Sequence, residues 1–94
     1  MNDIIISGSM IESIMNAIGD KLEELNFKTT DLDTMFSDVQ ALAIAIASKN
    51  HSLIYGSFEY MRSAKGFKNP YVTTEMWREL YRWIHQKYIY KEEL

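Results

Sequence analysis

From Leu32 to Ile46 the chain repeats apolar residues at helical spacing: Leu32, Met35, Phe36, Val39, Leu42, Ala43 and Ile46 fall on one stripe. Over the last two turns the remaining positions are apolar as well, at Ala41, Ile44, Ala45 and Ala47. A helix that is apolar on every side has to lie between other elements, and small alanines let those neighbours come close. The segment thus points to a helical architecture with residues 32–47 at its centre. A rival reading pairs the alternation of Leu42, Ile44 and Ile46 with a strand over Leu53–Phe58 through Ser48-Lys49-Asn50, making residues 41–58 a β-hairpin. Four alanines disfavour a strand, and the stripe runs unbroken from Leu32, so helix is the expectation.

Other helices are expected around it. Residues 1–8 read as a short extended arm whose Ile4, Ile5 and Ile6 need burial. Ser9-Met10-Ile11-Glu12 has the pattern of a capping box. Ile11, Ile14, Met15, Ile18, Leu22 and Leu25 follow at helical spacing, and Asn26 suits a left-handed stop. Gly19, inside this helix, suggests a close helix contact. Thr30 is the expected cap of the central helix, with Asp31 and Asp33 in its first turn, where the helix dipole favours acids. Ser52 is the expected cap of a third helix with Ile54, Tyr55, Phe58 and Met61 inward. It should close at Gly66, with Phe67 as the accompanying apolar contact. Lys68-Asn69-Pro70 is a loop. The last helix starts near Thr73, with Val72 and Trp77 placed as a hydrophobic staple. The expected fold is all-α: a single domain over residues 1–94, a small bundle of about four helices with short loops.

The last helix carries an excess of aromatic surface. Residues 71–94 hold both tryptophans and four of the six tyrosines. At about 100° per residue, an arc of roughly 180° runs from Tyr90 through Trp83, Met76, Lys87, Leu80, Ile84, Trp77 and Tyr88 to Tyr81. The opposite half holds Thr74, Glu75, Arg78, Glu79, Arg82, His85 and Gln86, with Ile89 out of place among them. An ordinary surface helix needs an apolar arc of roughly 100°. The excess has two readings. Either the helix packs into a groove between two others, which uses the whole arc, or an edge stays on the surface as a protein-binding site, with Trp83 and Tyr90 on one edge and Tyr81 and Tyr88 on the other, because Tyr and Trp dominate protein–protein hot spots. The partner is another protein or a second copy of this one, in a homodimer. The alternative is a nucleic-acid-binding regulator that uses the outward face of Thr74, Arg78, Arg82 and His85. The sequence pI of about 5.3 opposes it, as do Glu75 and Glu79, which are spaced to pair with Arg78 and Arg82.

Composition narrows the chemistry. Without cysteines the chain has no disulfide, thiolate metal site or Cys nucleophile. His51 and His85 lack neighbours at metal-ligand spacing. Asp31, Asp33 and Asp38 fail as a calcium loop, since Met35 and Phe36 stand where an oxygen ligand and the turn glycine are required. Neither Gly8-Ser9 nor Gly56-Ser57 forms a nucleophile elbow, and adjacent Glu23 and Glu24 diverge on a helix. The expectation is a non-enzymatic protein without cofactor or metal: an accessory or regulatory module of inhibitor or adaptor type. Asp3 replaces a basic leader region, and the longest apolar run, Ala41–Ala47, is far below the ~18 residues of a membrane span. A cytoplasmic protein without membrane contact is therefore expected. Charge is uneven: residues 1–50 carry eight acids and three bases, and residues 51–94 five acids and seven bases. Two faces of opposite sign would orient a partner.

Overall fold

The computed structural model describes residues 7–28, 33, 35–66 and 73–89, with backbone alone at 64–66. Among the described residues there are four α-helices and no strand: α1 (Gly8–Glu24), α2 (Phe36–Ala47), α3 (His51–Gly66) and α4 (Thr74–Ile84). A π-turn over His85–Ile89 follows α4 directly. The β-hairpin alternative for 41–58 is replaced by α2 and α3. Residues 1–6 of the expected arm, Asp31 and Leu32, the Phe67 contact, the 68–70 loop, the Val72 staple and Tyr90 lie outside the described residues. Gly8, the last residue of that arm, is instead the first of α1, and α2 is capped by Met35, without a side-chain hydrogen bond, rather than by Thr30.

The caps explain where the helices begin and end. Helix α1 starts from Ser7, two residues before the expected Ser9. Ser7 is extended, and its hydroxyl accepts a hydrogen bond from the Met10 N–H at 3.1 Å. The earlier start adds the Ile11 N–H to Ser7 carbonyl bond, 3.1 Å, which a cap at Ser9 would forgo. At the other end Asn26 takes φ 73°. Its N–H donates to the Glu23 carbonyl at 2.9 Å, and the Phe27 N–H donates to Leu22 at 3.0 Å. That is a Schellman closure, and Leu22 and Phe27 are the apolar pair that accompanies it, both buried.

The same device repeats after α2, compressed. Lys49 takes φ 57° and donates to the Ile46 carbonyl at 3.0 Å, while the Asn50 N–H reaches Ala45 at 3.3 Å. Asn50 then caps α3: its side-chain oxygen accepts from the Leu53 N–H at 3.1 Å. One residue thus closes one helix and opens the next, which displaces Ser52 from the expected role. Helix α4 begins as expected, at Thr73, whose hydroxyl accepts from the Met76 N–H at 3.2 Å while the Met76 sulfur receives the Thr73 N–H at 3.4 Å.

Helix α2 lies between α1 and α3. Leu42, Ala43, Ala45, Ile46 and Ala47 are buried, and the alanines permit the close approach on both sides. Three apolar residues depart from expectation, Ala41 among them, which is exposed. Ile44 is 41% exposed, so α2 is central without being wrapped all round. Phe36 is 58% exposed, because it falls roughly 60° beyond Val39 at the edge of the stripe. Gly19 makes no close contact among the described residues, where a methyl group would meet nothing within 4 Å.

The cap assignment is directly testable. Asn50→Ala should cost about 1 kcal/mol of stability in urea unfolding, whereas Ser52→Ala should leave the midpoint unchanged within about 0.5 kcal/mol. Equal losses, or a larger loss at Ser52, would return the cap to Ser52.

Candidate functional site

Helix α4 joins the bundle through large side chains. Trp77 is buried and meets Phe27 edge-on, with ring centroids 5.2 Å apart at 76°, and Phe58 at 6.1 Å and 84°. Leu80, Ile84 and Ile89 complete its buried side. Rings of this size hold the helix away from α3 and leave a groove between them of about 380 Å³. Tyr55, Phe58, Trp77 and Tyr81 line it with aromatic surface, and Glu59, Arg62, Thr74 and Arg78 supply its polar lining. The Trp77 indole N–H is buried and has no acceptor among the described residues.

Tyr81 and Tyr55 form the accessible part of this surface. Their rings are 5.7 Å apart, and Tyr81 also touches Phe58 at 5.3 Å. Tyr55 is 40% exposed and Tyr81 half-buried. Burial, then a hydrogen bond with Tyr55, then the charges of Tyr55 and Glu59, push the Tyr81 hydroxyl from 10.0 up to about 12. Along one edge, the carboxylate of Glu59 holds Arg62 at 2.9 Å. Arg78 and Arg82 pair with Glu75 and Glu79 at 2.7 and 2.8 Å, as their spacing predicts. All three pairs are solvent-exposed, where such contacts contribute little to stability.

The expected site residues divide into two groups. Tyr81 belongs to the α3–α4 groove and also borders a neighbouring hollow lined by Arg78, Arg82, His85 and Gln86. The wheel separates Tyr81 from the arginines, but it stands only roughly 60° from Arg78, and in the fold they share one rim. Thr74, Arg78 and Arg82 are exposed, and His85 is half-buried against the Tyr81 ring at 5.8 Å. Trp83 and Tyr88 form the second group. They were expected on opposite edges, yet their rings meet at 5.8 Å and 90°, with the Lys87 ammonium 5.9 Å from each. The π-turn is the reason. It stacks residues five apart, so Tyr88 comes over Trp83 and Ile89 over Ile84. Ile89, out of place on an α-helical wheel, is buried by the same turn. Burial also raises the Tyr88 hydroxyl above its ordinary range.

Sequence reasoning placed Tyr55 on the inward side of α3 and passed over Tyr60, which is 66% exposed. A wheel of α3 would have found both: roughly 60° separates Tyr55 from Phe58, and roughly 160° separates Tyr60 from it. Among the described residues no three His, Asp or Glu side chains gather as a metal site. No described helix is long and apolar enough to cross a membrane. Comparison with protein-family models, with curated proteins and with solved structures finds no match to this chain.

The raised Tyr81 hydroxyl carries a consequence for alkaline stability. The folded state holds this proton more tightly than the unfolded chain, so its contribution is complete below pH 10.0 and is lost as pH rises towards about 12. Thermal melts should fall between about pH 9 and about pH 11.5 by less in Tyr81→Phe than in the wild type. Identical falls would place the Tyr81 hydroxyl in an ordinary environment.

Proposed function

We propose that this is a small non-enzymatic interaction module, of accessory or regulatory type, that binds a protein partner at the α3–α4 groove. The observation that carries the reading is the Tyr55–Tyr81 pair: two partly exposed tyrosines over an aromatic floor, flanked by Arg62 and Arg78. Tyrosine offers large rigid contact area with a polar tip, and with arginine it dominates the energetics of protein interfaces. An inhibitor or adaptor works by occupying another protein's surface, and a groove with such a rim suits that task. The partner is a different protein or a second copy. The carboxylates of Glu75 and Glu79, beside Arg78 and Arg82, favour this reading over nucleic-acid binding, since they offset the arginines' charge and repel an approaching phosphate.

The test is capture of the partner from the native host, with light scattering to detect a second copy. Tyr55→Ala and Tyr81→Ala should weaken association by at least 1 kcal/mol, about fivefold, with melting temperatures showing the fold intact. Tyr60→Ala, on the outer face of α3, should retain it. Association that is indifferent to Tyr55 and Tyr81, but lost with Arg78→Ala and Arg82→Ala and steeply weakened by salt, would transfer the function to nucleic acid.

A further inference from the structure

A second groove runs between α1 and α2. It has two lobes, of about 290 and 500 Å³, and both are lined by Met15, Asn16 and Phe36. Asp20, Glu23 and Asp33 line the first lobe, and Glu12 the second. Among the described residues, no basic side chain lines either one. The single base on α1, Lys21, is tied to Glu24 at 3.2 Å. Phe36, the large apolar side chain shared by the lobes, is 58% exposed. A protruding phenyl ring in a groove whose charged side chains, among the described residues, are all acidic combines two unmet needs: cover for the ring, and positive charge opposite the carboxylates.

We propose that this groove receives a basic amphipathic helix of another protein. Apolar side chains about one to two turns apart on that helix would occupy the two lobes, one on each side of Phe36. Its lysines and arginines would face Glu12, Asp20, Glu23 and Asp33. Charge selects the occupant. Nucleic acid and anionic lipid surfaces are repelled by these four carboxylates. Among the described residues a second copy offers a poor match, since Arg62, Arg78 and Arg82 are already paired and Trp77, Leu80 and Ile84 of α4 are buried in its own core. The site is separate from the α3–α4 groove, so the chain can hold two partners, as an adaptor does.

A direct titration uses three synthetic peptides of about four helical turns: an amphipathic Leu/Lys peptide, the same composition with its periodicity scrambled, and a Leu/Glu counterpart. The Leu/Lys peptide should bind, and the scrambled and acidic peptides should bind at least about tenfold more weakly. Phe36→Ala should weaken binding about tenfold or more. Asp20→Lys with Glu23→Lys should do the same while flattening the salt dependence. These side chains are on the surface, so both variants should melt as the wild type does, and the charge variant decides should Phe36→Ala fail to fold. Tyr55→Ala should leave peptide binding unchanged, separating this groove from the other. Equal binding of the scrambled peptide, indifference to both groove variants, or self-association that Phe36→Ala abolishes would overturn the proposal.

Discussion

The indole of Trp77 meets Phe27 and Phe58 edge to face, and that contact decides how far α4 stands from the rest of the bundle. Each such pair contributes about 0.5–1.5 kcal/mol beyond the area it buries. It also joins three separate parts of the chain: the residue that closes α1, the middle of α3 and the first turns of α4. Leu80, Ile84 and Ile89 continue the buried side of Trp77 along α4 and its π-turn. The groove at Tyr55 and Tyr81 is the other consequence, because rings reach further than aliphatic side chains and leave space beside them.

Helix α2 follows the opposite rule. Its alanines bring α1 and α3 close, and that part of the molecule is packed through short side chains. The bundle thus combines a tight layer of three helices with a fourth set further off on aromatic spacers. Both grooves lie at the surface between two helices. One has a tyrosine and arginine rim and the other an acidic one, which is where the uneven charge of the sequence comes to rest.

Much of this was legible in residue spacing. The stripe through Val39, Leu42, Ala43 and Ile46 identified the central helix, and Asn26 and Thr73 marked two ends through their local hydrogen-bonding chemistry. What stayed hidden depends on choices between equivalent neighbours. Ser7 and Ser9 offer the same hydroxyl, and only the extra backbone bond from Ile11 favours the first. Asn50 outcompetes Ser52 because it serves two helices at once, which no single-helix pattern reveals. The π-turn was hidden for another reason: a wheel assumes one pitch throughout. Ile89 was the residue that did not fit, and its burial requires the wider turn that also brings Trp83 to Tyr88. For the candidate site, Tyr81 could be found on the wheel of α4 and Tyr55 on that of α3, whereas their pairing required knowing that the two helices pack side by side.

The account stands on Trp77 as the residue that holds α4 in place. Native-state hydrogen exchange in Trp77→Leu tests this most directly. Amides of residues 77–84 should lose protection well beyond the loss at residues 14–22 and 39–47, because α4 is released while the tight layer persists. Equal loss across all four helices, or protection of α4 left as in the wild type, would contradict it.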